Sequence, residues 1–156
     1  MAEVSVITEE MRKLIGVEMG PKVYEVEKGA VIKFAEAIED PNPLWQDEAY
    51  AKKSRHGGIV TPPTFPCTMR LLEPNEMIDV LVSAGCPLDR LINGTSELEH
   101  YQAIRPGDVI SVTGRFTGFE EKAGKGGRML FSTLEIDYRN QRGELVVKGR
   151  NVFILR

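Results

Sequence analysis

Apolar residues recur at helical spacing through the first half of the chain. The clearest run covers residues 28–39, where the i, i+3, i+4 and i+7 positions are Val31, Phe34, Ala35 and Ile38. This spacing predicts a helix with one buried face. Shorter runs of the same kind predict helices at 8–15, 47–53, 65–72 and 77–82. We expect Asp47 to cap the helix at 47–53. We expect Thr61, followed by Pro62 at the first helical position, to cap the helix at 65–72.

The second half of the chain alternates apolar and polar residues instead. Between 110 and 117, Ile110, Val112 and Phe116 share one parity, while serine, threonine and arginine fill the other. Such alternation is typical of strands with one buried face. We predict strands at 91–101, 110–117, 130–139 and 145–155, with an earlier short one at 23–26, and turns at 122–128 and 139–143. Helices followed by antiparallel strands give an α+β fold.

Composition narrows the class of protein. The chain has 156 residues, 42% of them hydrophobic, which fits one domain over residues 1–156. A net charge of −3 with scattered basic residues argues against a nucleic-acid partner. The chain has neither a run of apolar residues long enough to cross a membrane nor a signal-peptide pattern at its start, so we expect a cytoplasmic protein with no membrane partner. Cys67 and Cys86 form no CxxC pair and are expected to be reduced, buried thiols without a metal or cofactor.

One loop concentrates candidate chemistry between two of the predicted helices. Residues 39–45 read EDPNPLW, with Asp40 and Asn42 each followed by a proline. Proline disfavours the α region for the residue before it, so both polar residues should be extended and point their side chains in fixed directions. An ordinary helix stop and a catalytic loop both fit this pattern.

Three motifs, in their order along the chain, resemble those of the MaoC-like hydratases, particularly the FAS1-like dehydratase half of that family. They are FAEAIEDPNPL at residues 34–44, IVTPPTF at 59–65 and EIDYRNQ at 135–141. The resemblance extends from about Gly16 to Arg156. It implies a hot-dog fold, in which an antiparallel sheet wraps around a central helix and two such units pair. It also implies a ligand carried as a thioester of coenzyme A or of an acyl carrier protein.

The resemblance also implies a reaction, and this sequence departs at two positions from the residues that active members use for it. Active members add or remove water at an acyl thioester with an Asp and a His separated by an Asn-Pro turn, because two proton-transfer groups must flank the substrate. Asp40 and Asn42 match the family's aspartate and turn, which makes them the candidate catalytic residues, but Trp45 occupies the histidine position. An indole has no basic form. Pro62 and Pro63 stand where active members place a His-Gly pair, so a backbone N–H that polarises the carbonyl is lost.

These departures predict a subunit of an enoyl-CoA hydratase or 3-hydroxyacyl-thioester dehydratase that binds the acyl chain while a partner supplies Asp and His. Trp45, Phe65 and Met69 would line the acyl channel, with Thr61 and Thr64 as further substrate contacts. The alternative for Trp45 is simple core packing. A self-sufficient homodimeric hydratase that uses Asp40 and a thioester-binding module without hydratase activity are two other hypotheses. All of them predict pairing with another hot-dog subunit, as a homo- or heterodimer.

Overall fold

A computed structural model describes residues 5–85, 90–124 and 127–155. Its helices are α1 (Glu9–Leu14), α2 (Lys28–Ala37), α3 (Glu48–Lys53) and α4 (Pro74–Ser83). Its strands are β1 (Met19–Glu25), β2 (Leu91–His100), β3 (Val109–Gly124), β4 (Gly127–Arg139) and β5 (Leu145–Leu155). Two short 3₁₀ turns, Pro43–Trp45 and Phe65–Thr68, lie between the helices. The predicted α+β class is confirmed.

All five strands form one antiparallel sheet in the order β1-β3-β4-β5-β2. The alternation seen in the sequence sets its buried face, because Ile110, Val112 and Phe116 are each 0% exposed. Strand β3 runs beyond the predicted end at 117 as far as Gly124, which pairs with Gly127 of β4. The residues between these glycines, in the turn predicted at 122–128, lie outside the described part of the chain. Strands β1 and β2 are the two edges of the sheet.

Helix α2 contributes part of its predicted apolar face to the core. Val31 and Ala35 are fully buried, and the ring of Phe34 packs edge-to-face on that of Phe65 with centroids 5.5 Å apart. Ile38, predicted for the same face, is 43% exposed. The helix ends at Ala37. Ile38 therefore lies where the chain has already turned away from the core.

The helix predicted at 65–72 is wrong in extent. Only the 3₁₀ turn Phe65–Thr68 forms, and the longer helix α4 begins at Pro74. Proline lacks the N–H that a continuing helix needs, but the first turn of a helix does not use that donor, so Pro74 starts a helix rather than ending one. A capping box between Glu73 and Glu76 fixes this start, and α4 extends the helix predicted at 77–82. Thr61 is not a cap: it is buried, and its backbone N–H donates to the Ile104 carbonyl at 2.9 Å.

Burial of the first cysteine was also predicted wrongly. Cys67 is a free and exposed thiol, because the 3₁₀ turn leaves its side chain at the surface. Cys86 lies outside the described residues. Within the described ranges, no helix is long and apolar enough to span a bilayer. The same residues include no cluster of three or more His, Cys, Asp or Glu placed to hold a metal ion.

Candidate functional site

A tight turn at the end of α2 leads directly to Asp40. Glu39 takes a left-handed conformation with φ 55°, which is uncommon for a residue with a side chain. The backbone N–H of Asp40 then donates to the carbonyl of Ala35 at 2.9 Å, which closes the last turn of the helix. Asp40 is therefore held at a fixed position where the loop begins.

Both carboxylate oxygens of Asp40 are occupied by donors from its own loop. Oδ1 accepts the backbone N–H of Asn42 at 3.0 Å, and Oδ2 accepts the indole Nε1–H of Trp45 at 2.8 Å. The side-chain oxygen of Asn42 accepts the backbone N–H of Leu44 at 3.0 Å and begins the 3₁₀ turn that brings the indole back. The structure thus brings Asp40, Asn42 and Trp45 together, but as a closed hydrogen-bonded unit.

Trp45 combines packing with this polar contact. Its side chain is 8% exposed and belongs to the hydrophobic core, while the ring nitrogen faces Asp40. The indole nitrogen can only donate a hydrogen bond, so Trp45 cannot act as a base. His56 is the nearest histidine in sequence, and its Nε2 lies 3.3 Å from the Nε of Arg55. In the described part of the chain no hydrogen bond links that histidine to Asp40.

The other predicted substrate contacts differ in their surroundings. Phe65 and Thr61 are buried, and Thr64 is exposed. Met69 is 3% exposed and lines a groove on one face of the sheet.

The groove measures about 350 Å³ and lies between the segment 67–77 and one face of strands β2, β4 and β5. Most of its wall is apolar: Met69, Leu71, Leu72, Met77, Leu98, Leu134, Ile136 and Phe153. The polar groups at its lining are Cys67, Arg70, Asn93, Ser96, Tyr138 and Asn151. A mostly apolar cavity with a few placed polar groups is the usual form of a small-ligand site.

A glycine widens the floor of this groove. A Cβ at Gly149 would lie 3.4 Å from Cβ of Ile136 and 3.5 Å from Cε2 of Tyr138, which is ordinary contact distance. The missing side chain leaves that space to the groove. Gly149 interrupts the apolar residues of β5, which was the one signal in the sequence that pointed to this floor.

A second cavity of about 350 Å³ is basic. It is lined by Lys28, Glu48, Lys52, Gly57, Gly58, Ile59, Arg105 and Pro106. Lys28 Nζ lies 2.5 Å from Glu48 Oε1, and this hydrogen bond and the lysine's charge hold the pKa of that carboxyl below its usual range. Within the described ranges, the side chains of Lys52 and Arg105 form no ion pair, so the cleft carries a net positive charge.

The comparisons with known proteins agree on one family. The model of the FAS1-like dehydratase domain region matches residues 13–149. A UPF0336 protein of Thermobifida fusca is 32% identical over 136 residues, which cover 87% of this chain and 86% of that protein.

Two solved structures extend the comparison to the fold. The MaoC-like dehydratase from Rhodospirillum rubrum superimposes with a TM-score of 0.65 at 27% identity, covering 91% of this chain and 92% of that one. A chain of the ChsH1-ChsH2 complex from Mycobacterium tuberculosis gives a TM-score of 0.79 at 21% identity, covering 96% and 90%. The second likeness concerns the fold alone. With its single antiparallel sheet and its matched family model, the chain belongs to the FAS1-like dehydratase region family of hot-dog proteins.

Proposed function

We propose that this protein is the acyl-binding, non-catalytic subunit of an enoyl-thioester hydratase or 3-hydroxyacyl-thioester dehydratase, working with a partner subunit that carries the Asp and His. The observation that carries this proposal is the closed state of Asp40. Its two oxygens accept the Asn42 N–H and the Trp45 indole N–H, at 3.0 and 2.8 Å. An aspartate engaged in this way stabilises its own loop.

In the isolated chain, proton transfer would depend on Asp40 alone and on the lone pairs that these two donors leave free. A general base must lie within hydrogen-bonding reach of the proton that it abstracts. Here Trp45, at the position that could complete the pair, is a hydrogen-bond donor, and the backbone donor expected at Pro63 is absent because proline has no N–H. Loss of one carbonyl-polarising donor alone typically lowers the rate ~10²–10³-fold. The chain alone therefore lacks both parts of the family's chemistry.

The groove supports an acyl-binding role. Its apolar wall can bury hydrocarbon, and each CH₂ moved from water into such a wall is worth about 0.8 kcal/mol. Met69, a predicted substrate contact, is part of that wall. We extend the predicted contacts to Ile136 and Gly149, which form its floor.

The basic cleft supports a ligand that carries phosphate, as acyl thioesters of coenzyme A and of carrier proteins do. Arg105 and Lys52 have no competing carboxylate partner within the described ranges, so both are available to an anion. Residues 57–59 form one side of the cleft, and the same stretch of chain continues to Met69 in the groove. We propose this cleft as the site for the phosphate groups of such a ligand.

The edge of the sheet supports pairing with another subunit. Strand β2 is an edge strand of ten residues, of which only Leu91 and Leu98 are even partly buried. The opposite edge, β1, has a register irregularity and Pro21, which lacks the N–H that a neighbouring strand would use. We therefore propose β2 as the edge that joins the partner's sheet.

Narrowing the groove tests the acyl-binding role. Gly149→Val places a branched side chain against Ile136 and Tyr138 and should weaken binding of octanoyl-CoA by at least ~10-fold, whereas Gly149→Ala should have a smaller effect. Calorimetric titration of the purified chain measures both. Gly29→Val is the matched control, because a Cβ at Gly29 meets nothing within 4 Å.

Thermal unfolding of each variant establishes that it is folded before binding is compared. Unchanged affinity in a folded Gly149→Val protein would place the acyl chain elsewhere. Absence of octanoyl-CoA binding to the wild-type chain would contradict the acyl-binding role itself.

A further inference from the structure

Tyr138 is a buried residue whose phenol lies at the wall of the groove. It belongs to the inward-facing parity of β4, is 4% exposed, and lines the groove beside Ile136. Within the described residues, its hydroxyl makes no hydrogen bond. By contrast, the hydroxyl of Tyr24 donates to the Arg70 carbonyl at 2.7 Å.

The Tyr138 hydroxyl is open to the groove. Among the described residues it is Ser132 Oγ, and not this hydroxyl, that is fully enclosed without a hydrogen-bond partner. Tyrosine hydroxyls usually find a partner when the ring is buried, and here a ligand in the groove can supply one. Burial raises the pKa of Tyr138 well above its ordinary value, with smaller contributions from Cys67 and Tyr24 nearby, so the hydroxyl stays protonated at physiological pH. It is therefore a neutral donor that opens onto an apolar ligand site.

We propose that the Tyr138 hydroxyl donates a hydrogen bond to an oxygen atom of the acyl thioester in the groove, and so selects for a ligand with an acceptor at that depth. This inference rests on the proposed function, since it assumes that the groove holds the acyl group. Two oxygens share the required chemistry: the thioester carbonyl and a hydroxyl on the chain.

The surroundings of Tyr138 favour this role over packing. The space beside its ring is left open by Gly149, so a ligand can reach this part of the groove. In the adjoining wall Ile136, Leu134 and Leu98 are apolar, and Asn151 lies opposite Leu134 in the strand register. A hydrocarbon segment lying against the hydroxyl would displace water without offering a hydrogen bond in its place. A site built around a hydrogen bond discriminates strongly against an analogue that lacks it.

Three ligands separate the possible sources of the oxygen. S-octyl-CoA lacks the thioester carbonyl, octanoyl-CoA has it, and 3-hydroxyoctanoyl-CoA adds a hydroxyl on the chain. Each is titrated calorimetrically into the wild-type chain, into Tyr138→Phe, and into Tyr50→Phe. The last is a matched control, because Tyr50 is 53% exposed on α3 and does not line the groove.

Tyr138→Phe should weaken binding of an oxygen-bearing ligand by about 3- to 10-fold and leave S-octyl-CoA unaffected or tighter. Weaker binding of both octanoyl-CoA and 3-hydroxyoctanoyl-CoA to Tyr138→Phe identifies the thioester carbonyl as the acceptor. Weaker binding of 3-hydroxyoctanoyl-CoA alone identifies the hydroxyl. Equal effects on all three ligands, or none, would overturn the proposal while leaving acyl binding in place. If the wild-type chain binds none of the three, the proposed function fails first.

Discussion

At the scale of single residues, the contact between Trp45 and Asp40 shows how a polar loop is joined to the core. The indole N–H donates to Oδ2 of Asp40, so the carboxylate is an internal acceptor. The same tryptophan buries a large apolar ring in the core. This bond therefore ties the polar loop to the packed core.

Removing the indole donor should be costly for stability. Trp45→Phe leaves one oxygen of Asp40 unpaired and a small void, which should lower the free energy of unfolding by about 2–4 kcal/mol. Asp40→Ala, combined with Trp45→Phe in a double-mutant cycle, should reveal a coupling energy of about 1–3 kcal/mol. Urea unfolding of the four proteins measures it. Additive effects would show that the bond contributes nothing.

Residue-scale predictions succeeded where local chemistry decides. Proline restricts the residue before it whatever surrounds the chain, and Asn42 is accordingly extended with φ −57° and ψ 120°. Exposure of Cys67 could not be predicted in this way, because it depends on the 3₁₀ turn and on what packs around it. In the strand predicted at 130–139, Tyr138 follows the pattern of the apolar residues, and nothing in that pattern indicates that its side chain lines a groove.

At the scale of elements, the N-terminal segment is held against the long hairpin of β3 and β4 by one carboxylate. Glu121 Oε1 accepts the Ser5 hydroxyl at 2.5 Å and the backbone N–H groups of Val6 and Ile7 at 2.6 and 3.1 Å. Its other oxygen accepts from Arg128 at 3.0 Å. The hydrogen bond from Ser5, those from Ile7 and Val6, and the charge of Arg128 lower the pKa of this carboxyl, against an opposing effect of burial.

This lowered pKa predicts release of the segment by acid. A carboxyl whose folded pKa lies below its unfolded value of about 4.3 stabilises the docked state above that pH and stops doing so as pH falls through the folded pKa. The amide NMR signals of Val6 and Ile7 should therefore shift together at a pH below ~4. Glu121→Gln should produce the released spectrum at neutral pH. Glu120→Gln, on the exposed side of the same strand, is the control and should not.

Helices and strands were predicted correctly where the pattern of apolar residues fits only one kind of element. The strands emerged from strict alternation, and Asp47 caps α3 as expected by accepting the Tyr50 N–H at 3.0 Å. The prediction of a helix at 65–72 was wrong. Phe65, Met69 and Leu72 have helical spacing, but they lie in a 3₁₀ turn and in the irregular segment that follows it. Spacing alone does not distinguish these cases.

At the scale of the whole molecule, the groove is assembled from segments that are far apart in sequence. Its lining comes from residues 67–77 and from β2, β4 and β5. No local pattern could predict it; only the strand order β4-β5-β2 places those side chains together. The basic cleft likewise joins α2, α3 and the segment before β3. The family resemblance predicted the fold that creates both cavities, without indicating where the cavities lie.

The rate of hydration by the chain alone tests the central claim most directly. With octenoyl-CoA as substrate, a spectrophotometric assay should show turnover well below ~1 s⁻¹, the lower end of ordinary enzymes. Asp40→Asn should then change this rate little, since both oxygens of Asp40 are already engaged by Asn42 and Trp45. Robust turnover by the purified chain that Asp40→Asn abolishes would contradict the account and establish a self-sufficient hydratase.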